Sequence, residues 1–374
     1  MDRPRLRVLY ISRGYTTHDH RFLESFVGAG WTPIHLPLLD ERLDKRPLPA
    51  GVDTLSWGKD IGGLATPEDW ENRRKRLIQL LSDTGPDVVI AGPVQTGALL
   101  AALARAKPLV TVSWGTDLLV DADASEEARY FTRYALDNSA GVFGDCRAVR
   151  DAVHRHSSIP DDRIVTFPWG IDLERFSPGP SALTLRSDLG WDENAVFIST
   201  RSWEPVYAVD VLVRAFALVL QRFPRARLLL LGDGSLEGEV RELITELGLE
   251  EFIHAPGRAR YDLLPDYFRS ADVYVSAAVS DGTSISLLEA MACGLPVVVS
   301  NSFGNLEWVR AGVNGALATP GDVESLSEAM QSVVSHPDEA ARMREENIAT
   351  ARRRADWKIN FPGLVKLVER LVAG

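Results

Sequence analysis

The stretch that decides the fold is SDGTSISLLEAMACGLPVVVS, residues 280–300. A small-residue segment, 282–284, follows an apolar strand-like run and precedes a helical pattern, which Gly294 and Pro296 end before the next apolar run. Ser or Thr at such a point can cap free backbone N–H groups. The start of a helix offers N–H donors and a partial positive charge to a phosphate. The stretch therefore predicts a strand, a tight loop and a helix with an anion site at its first turn.

Two carboxylates flank this predicted anion site, eight residues apart. Asp281 lies in the loop, and Glu289 lies in the helix, roughly 7 Å further along the axis at 1.5 Å per residue. A carboxylate accepts hydrogen bonds from two adjacent hydroxyls, as on a ribose or a hexose. A phosphate site between two such groups indicates nucleotide-sugar binding. The alternative is that Glu289 only caps or pairs locally.

The same strand-and-helix pattern continues on both sides of this stretch. The apolar runs are nearly continuous, as expected for parallel strands covered on both faces. They fall at 7–12, 87–92, 108–113, 195–200, 227–232, 272–277 and 296–300, with helical segments between them. There are too many elements for one sheet. The pattern predicts an α/β protein of two doubly wound Rossmann-like domains that face each other across a cleft, with ligand loops at the carboxyl ends of the strands.

A segment rich in Pro and Gly divides the two series of elements. We place an N-terminal domain at 1–171, a linker at 172–190 and a C-terminal domain at 191–355. The last residues, 356–374, are predicted to form a helix that returns to the N-terminal domain.

Composition excludes several classes of protein. The 374 residues are 45% apolar and 25% charged, which is ordinary for a globular chain, and the net charge of −11 does not favour a nucleic-acid binder. The two cysteines, Cys146 and Cys293, exclude a disulfide framework and a four-thiolate zinc site. The N-terminus lacks the pattern of a signal peptide and no run approaches 18 apolar residues, so we expect a cytoplasmic protein. The oligomeric state is left open.

Residues 280–300 resemble the donor-site motif of family 4 glycosyltransferases, which have the two-Rossmann B-type fold (GT-B). That motif is an acidic residue, seven residues and Glu, followed by Ala-Met-Ala-x-Gly-x-Pro-Val-Val. Here Asp281 replaces the commoner Glu, Glu289 follows, and the rest matches. Four further segments resemble the family in the expected order, so that the resemblance covers most of 160–335. They are 164–178, 228–243, 253–278 and 305–322.

The resemblance implies a retaining transferase that moves a sugar from a nucleotide donor to an acceptor, and is part of carbohydrate or glycoconjugate biosynthesis. It implies a donor in the C-terminal domain, an acceptor in the N-terminal domain, a uridine diphosphate leaving group, and neither metal nor other cofactor. The acceptor is a sugar, a lipid-linked glycan or a small molecule. The implied donor-binding residues are Gly14, Arg201, Arg258, Asp281, Gly282, Thr283, Ser284, Ile285, Ser286 and Glu289. The implied catalytic residues are Arg201, Asp281 and Asp117.

The phosphate-binding pattern of the family is incomplete in this chain. Arg201 fits the family's Arg, but its Lys has no counterpart near 206–208, and residues 202–213 contain neither Lys nor Arg. The first loop, 12–21, lacks the usual Gly-Gly pair and carries basic side chains instead, among them Arg13, His18 and Arg21. One of these is a candidate for the second cation. The alternative is a solvated first turn of a helix.

The N-terminal domain departs from the family at a second position. Trp114 stands where the family has a His that faces the donor sugar. A Trp can stack on a sugar face but cannot accept a hydrogen bond or act as a base. Asp117 is the nearest polar replacement, and a loop-capping Asp is the alternative interpretation.

Two other features are interpreted as structural. The basic run 73–76 suggests a peripheral membrane contact, but a solvated helix face is favoured. The histidines form two close pairs, 18 with 20 and 154 with 156, which lack the ligand spacing of a zinc site. Two other functions stay open: a nucleotide-sugar epimerase of the same fold, and a non-catalytic nucleotide-sugar-binding pseudoenzyme.

Overall fold

The computed structural model describes residues 5–58 and 63–373. They divide into two compact units, one formed by the residues up to Phe167 together with those from Phe361 onward, and the other by Pro168–Asn360. Residues 172–190, the predicted linker, lie within the second unit. The C-terminal residues from Phe361 onward cluster with the first unit.

The first unit is a seven-stranded parallel sheet with helices between its strands. Its strand order is β3-β2-β1-β4-β5-β6-β7. The strands are β1 (Arg7–Ser12), β2 (Thr32–Pro37), β3 (Asp53–Thr54), β4 (Val88–Ala91), β5 (Leu109–Val112), β6 (Gly141–Gly144) and β7 (Ile164–Thr166). The helices are α1 (Thr17–Gly28), α2 (Pro67–Thr84), α3 (Leu99–Leu103), α4 (Thr116–Leu119), α5 (Glu126–Asp137), α6 (Arg147–His156) and, from the end of the chain, α16 (Pro362–Ala373).

The second unit repeats the plan with a six-stranded parallel sheet. Its strand order is β10-β9-β8-β11-β12-β13. The strands are β8 (Ala195–Ser199), β9 (Ala226–Leu231), β10 (Ile253–Gly257), β11 (Val273–Ser276), β12 (Val297–Ser300) and β13 (Gly315–Ala318). The helices are α7 (Leu185–Asp188), α8 (Val209–Arg222), α9 (Glu237–Glu246), α10 (Leu264–Arg269), α11 (Ile285–Ala292), α12 (Phe303–Leu306), α13 (Val323–Ser335), α14 (Pro337–Arg354) and α15 (Trp357–Asn360).

Local sequence signals explain where the helices of the first unit begin. Thr16 and Asp19 form a reciprocal capping box at the start of α1, and Thr66 and Asp69 form another at the start of α2. Gly85 caps the C-terminal end of α2, and its φ of 53° is a left-handed conformation that favours glycine. The basic run 73–76 lies on α2, where Arg73 is buried against the Trp57 ring and Arg74 pairs with Glu71.

The central strands of both sheets are buried on both faces, as their continuous apolar runs predict, whereas the edge strand β3 is exposed. All residues of β4, β5 and β11 are buried, for example. Two doubly wound α/β domains are therefore confirmed. Within the described ranges, no helix combines the length and the apolar character needed to cross a membrane.

Each sheet has one point where the strand order reverses direction. It lies between β1 and β4 in the first sheet and between β8 and β11 in the second. At such a point the loops from neighbouring strands lead to opposite faces and leave a crevice at the carboxyl ends, which is where open α/β sheets bind ligands. A ligand site is therefore expected at the carboxyl end of one or both reversal points.

Candidate active site

Predicted donor-binding residues meet at the reversal point of the second sheet. Arg201 comes two residues after β8, and the loop after β11 carries Asp281 and leads into α11. In the structure, Arg201 Nη2 lies 2.7 Å from Asp281 Oδ2. Their side chains are only 10% and 16% exposed. The sequence predicted that both residues contact the donor, but it did not predict that they pair with each other.

Burial and charge act on this pair in opposite directions. Burial lowers the pKa of the Arg201 guanidinium, but the Asp281 carboxylate more than compensates, so that the pKa lies above its usual value. Burial raises the pKa of Asp281, and Arg201 opposes that shift. Arg201 is therefore a permanent cation held inside the protein by one carboxylate.

Hydroxyl groups complete one side of the Arg201 environment. Arg201 Nη1 donates to Ser284 Oγ at 2.8 Å and to Ser286 Oγ at 3.1 Å. The buried Tyr274 hydroxyl lies 2.8 Å from Ser286 Oγ. Ser284 is the residue before α11, yet its side chain makes no capping hydrogen bond. The sequence suggested a cap at this point; in the structure, the Ser284 hydroxyl accepts from Arg201 instead.

The open first turn of α11 adds backbone donors beside the guanidinium. The first N–H groups of a helix have no partner within the helix, and the Ser284 side chain does not satisfy them here. The predicted loop residues are packed into the protein: Gly282, Thr283, Ser284 and Ser286 are buried, and Ile285 is half-buried. The arrangement places N–H groups and a cation together, as binding of a phosphate requires.

Arg201 also keeps a donor without a partner. A guanidinium has five N–H groups, and the Arg201 Nε is buried with no hydrogen-bond partner. A buried charged donor that lacks a hydrogen-bond partner lowers the stability of the fold by about 1–3 kcal/mol or more. Ser302 Oγ, just after β12 on the same sheet edge, is likewise buried without a partner. Unsatisfied polar atoms at the carboxyl edge are expected where a polar ligand binds.

The loop after β11 is fixed by close packing against α12. A Cβ placed on Gly304 would lie 1.9 Å from the Gly282 carbonyl oxygen and 2.6 Å from that of Asp281. Any side chain at 304 would therefore displace the loop that carries Asp281. This glycine supports the site although it was not among the predicted residues.

Glu289 is the fifth residue of α11 and is only 3% exposed. Burial of a carboxylate is costly unless it is compensated by hydrogen bonds or charge. The predicted contact of Glu289 with the ribose of a donor stays a prediction.

Arg258 lies apart from the Arg201 environment as far as its described contacts go. Its Nε donates to Asp233 Oδ1 at 2.9 Å, and both side chains are about half exposed, at 48% and 41%. Asp233 lies between Gly232 and Gly234. A Cβ on Gly232 would lie 2.3 Å from the Arg201 carbonyl oxygen, so these glycines let the loop after β9 pack directly on the Arg201 segment.

In the first unit, Asp117 holds two loops together. Its carboxylate accepts from Ser113 Oγ at 2.6 Å and from the backbone N–H groups of Trp114, Leu118 and Val94, each at 3.0 Å. Burial raises the pKa of Asp117 to about 6, although these hydrogen bonds oppose the shift. The contacts are those of a loop-capping residue. The catalytic role stays a prediction.

Gly14 and Arg13 contact the segment after β2. A Cβ on Gly14 would lie 2.6 Å from the Glu41 carbonyl oxygen. The packing of the chain is therefore a sufficient reason for glycine at this position. Arg13 Nε lies 3.6 Å from the Glu41 carboxylate, and the Arg13 side chain is 70% exposed. The donor contact predicted for Gly14 stays a prediction.

Aromatic side chains gather at the carboxyl ends of β4 and β5. The His18 and Trp114 rings are 5.8 Å apart, and Phe22 packs edge-on against Trp114 at 6.3 Å. Arg21 is half-buried in the next turn of α1. The structure thus brings His18 and Trp114 together, as two residues of one aromatic group.

Tyr207 is a site residue that the sequence interpretation missed. The Arg201 guanidinium carbon lies 4.0 Å from the centre of the Tyr207 ring, within cation–π distance. Its position could have given a signal, because Tyr207 stands where the family's Lys would be. Within the described ranges, no group of three or more His, Cys, Asp or Glu side chains is placed to hold a metal ion.

Comparisons with known families agree with this architecture. The family described as "Glycosyl transferases group 1" matches residues 183–350, and "Glycosyltransferase Family 4" matches residues 63–175. Among solved structures, the Anabaena protein Alr3699/HepE in complex with UDP and glucose has a TM-score of 0.81 at 21% identity and covers 98% of this chain and 100% of its own. Sucrose-phosphate synthase from Thermosynechococcus elongatus has a TM-score of 0.82 at 18% identity, with 99% and 100% covered.

Two curated relatives are similar in sequence. A D-inositol 3-phosphate glycosyltransferase of Rhodococcus jostii is 31% identical over 66% of this chain and 57% of its own length. A GDP-mannose-dependent alpha-(1-6)-phosphatidylinositol monomannoside mannosyltransferase of Mycolicibacterium smegmatis is 25% identical over 78% of this chain and 79% of its own. The match thus spans little more than half of the first relative. The motif order, the two parallel sheets and these matches together place the chain in the group 1 glycosyltransferases of family 4, with the GT-B fold.

Proposed function

We propose that the protein transfers a sugar from a nucleotide-sugar donor to an acceptor hydroxyl, with retention of configuration and without a metal ion or other cofactor. The observation that carries the proposal is the buried Arg201, whose Nε lacks a partner, beside the open first turn of α11. This combination is suited to a diphosphate. The cytoplasmic location expected from the sequence belongs to the same proposal.

The chemical role of these groups follows from where charge develops. When the bond between the anomeric carbon and the diphosphate breaks, negative charge appears on the phosphate oxygens of the leaving group. Fixed donors in a water-poor site stabilise such charge, commonly by a factor of about 10²–10³ per donor. Arg201 and the backbone amides at the start of α11 would provide these donors. Asp281 would orient Arg201, because the carboxylate holds one edge of the guanidinium.

Positioning of the donor is the second part of the proposal. Glu289 would bind the ribose hydroxyls from within α11. Asp281 would also contact the donor sugar, as the family motif implies, in addition to its pairing with Arg201. Gly14, Trp114 and Asp117 are retained as residues of the first unit that would serve the donor or the acceptor.

The donor and the acceptor can each be chosen from a few candidates that experiments can distinguish. We propose a uridine diphosphate sugar, on family frequency, and the GDP-mannose dependence of one relative makes a guanosine donor the competing choice. The acceptor we propose is a sugar, a lipid-linked glycan or a small molecule. The names of the relatives suggest an inositol phosphate or a phosphatidylinositol mannoside as first candidates.

A donor screen tests the proposal. The release of nucleoside diphosphate is measured from UDP-glucose, UDP-N-acetylglucosamine and GDP-mannose, with and without inositol 3-phosphate or phosphatidylinositol mannoside. We expect release that depends on an acceptor and on one donor. Conversion of the donor to its epimer without acceptor would favour an epimerase, and binding without turnover would favour a pseudoenzyme.

The same assay tests metal independence. Transfer should persist in excess EDTA, because the proposed leaving-group contacts come from Arg201 and backbone amides. Complete loss with EDTA and recovery with manganese would contradict this part of the proposal.

A further inference from the structure

The Tyr207 ring covers the Arg201 guanidinium at the place where the family has a second cation. The ring centre lies 4.0 Å from the guanidinium carbon, and residues 202–213 contain no Lys or Arg. The ion pair with Asp281 and the two serine hydroxyls hold the edges of the guanidinium. Its face is held by Tyr207 alone among the contacts described for the 5–58 and 63–373 ranges.

The backbone around Tyr207 is built to keep the ring in this place. Residues Pro205–Tyr207 form a 3-10 turn, and Ala208 follows in a left-handed conformation with φ of 46°. That conformation costs roughly 1 kcal/mol or more for a residue other than glycine. Val279 N donates to the Val206 carbonyl at 2.9 Å and so ties the turn to the loop that carries Asp281. The turn and the loop therefore hold the two partners of Arg201 in fixed register.

We propose that Tyr207 is a positioning residue for Arg201, and that this site uses one clamped guanidinium where the family uses two cations. The inference rests on the proposed function, because it concerns the diphosphate site of that function. Arg201 and Asp281 together have no net formal charge. Phosphate binding at this site therefore depends more on the orientation of the planar Arg201 guanidinium than on net positive charge. A planar guanidinium can stack on an aromatic ring and is held in one orientation by it. An ammonium group has no plane that a ring could orient in this way.

Three variants of Tyr207 test the proposal by calorimetric titration with UDP and GDP and by steady-state kinetics. Tyr207→Phe keeps the ring, and we expect affinity and turnover within about twofold of the wild type. Tyr207→Leu removes the ring, and we expect nucleotide affinity and turnover to fall about tenfold, between the sizes of an exposed and a desolvated cation–π contact. Tyr207→Lys adds the missing cation, and we expect tighter nucleotide binding and stronger product inhibition.

Phe252→Leu is the matched control. Phe252 also lies under an arginine, with Arg227 at 5.0 Å, and packs against the same hydrophobic cluster as Tyr207. It precedes β10, at the opposite edge of the sheet from the site. This variant should change thermal stability about as much as Tyr207→Leu and leave nucleotide affinity unchanged.

A double-mutant cycle separates positioning from a merely structural role. In an Arg201→Lys background, Tyr207→Leu should cost less than about threefold, because no planar group remains to be oriented. A full tenfold cost in that background would overturn the inference. So would equal losses for Tyr207→Phe and Tyr207→Leu, or wild-type behaviour of Tyr207→Leu.

The binding data also separate the inference from the proposed function. Wild-type protein that binds neither UDP nor GDP would overturn both together. Tight nucleotide binding by the wild type and by Tyr207→Leu alike would overturn the inference alone.

Discussion

The reversal points of the two sheets have the same topology but differ in whether their polar groups have hydrogen-bond partners. In the second unit, Arg201 and Asp281 are buried together, and the Arg201 Nε has no partner. At the reversal point of the first unit, Asp117 accepts four hydrogen bonds, and Ser12 Oγ donates to the Gly14 carbonyl at 2.8 Å and lies 3.0 Å from His35 Nε2. The edge of the second sheet thus has a hydrogen-bond donor without a partner, whereas the polar groups at the edge of the first sheet hold loops in place.

This difference teaches that the fold alone does not decide what a sheet edge binds. Both edges have the crevice that a doubly wound sheet provides. Only at the second edge do a buried cation and an open helix start occur together within the described residues. The comparison predicts that substitutions in the second unit mainly reduce nucleotide binding and that substitutions in the first unit mainly affect other properties.

The largest effect is expected for Arg201→Ala. Removing this donor to the leaving group should reduce turnover by about 10²–10³ and also weaken nucleotide binding. It should also cost about 3–5 kcal/mol of stability, because Asp281 is left buried without its partner. Turnover is measured in the donor-release assay and stability by urea unfolding.

The Arg201→Ala/Asp281→Ala double variant is the control for stability. Removing both charges should restore much of the lost stability, because no charge stays buried without a partner, but it should not restore turnover. Recovery of turnover in the double variant would show that Arg201 is needed only for folding.

The next largest effect is expected for Glu289→Gln. If this carboxylate binds the ribose, the loss of a charge-assisted hydrogen bond should weaken nucleotide binding by roughly 10- to 100-fold. Calorimetry measures the affinity, and Glu246→Gln on the exposed side of α9 is the control. Unchanged affinity in a folded Glu289→Gln protein would remove Glu289 from the site.

A smaller effect is expected in the loop 12–21 of the first unit. If Arg13 or Arg21 assists the leaving group, its replacement by Ala should lower turnover by about tenfold or less with little change in nucleotide affinity. Arg76→Ala on α2 is the control, since Arg76 bonds only Gln79 among its described side-chain partners. Full turnover in both loop variants would leave Arg201 and the amides as the leaving-group donors.

The smallest effect on nucleotide binding is expected for Asp117→Asn, whose consequence is a change in pH dependence. Because burial raises the pKa of Asp117 from 3.8 to about 6, the folded protein binds this proton more tightly than the unfolded chain. The contribution of Asp117 to the unfolding free energy should therefore fall as pH rises from about 4 to about 6, by about 3 kcal/mol in total at 1.36 kcal/mol per pKa unit.

Urea unfolding of the wild type and of Asp117→Asn across this pH range measures that difference. The stability of the wild type relative to the variant should decline with rising pH. A relative stability that stays constant would contradict the shifted pKa. A large loss of turnover in a stable Asp117→Asn protein would support the catalytic role predicted from the sequence.

Much of the fold could be predicted from the sequence because it depends on periodic patterns. Continuous apolar runs such as 87–92 and 296–300 predicted buried parallel strands, and the segment 280–300 predicted the loop and helix around Asp281. These are local signals, and each depends on neighbouring residues only.

The details of the site depend on contacts between distant segments, which no local pattern encodes. The pairing of Arg201 with Asp281 joins positions 80 residues apart, and the packing of Gly304 on Gly282 depends on a helix, α12, and a loop that are adjacent only in the folded protein. Tyr207 was overlooked for a related reason: its place at the position of the family's Lys marks it in the sequence, but its contact with the guanidinium depends on the 3-10 turn that brings the ring over Arg201.

The most direct test of the central claim is a crystal structure of the protein with UDP or GDP bound. The account predicts that the diphosphate lies at the carboxyl edge of the second sheet, with a phosphate oxygen within hydrogen-bond distance of Arg201 and of the backbone amides at the start of α11. A diphosphate bound by residues of the first unit, or one that leaves Arg201 Nε without a contact, would contradict it.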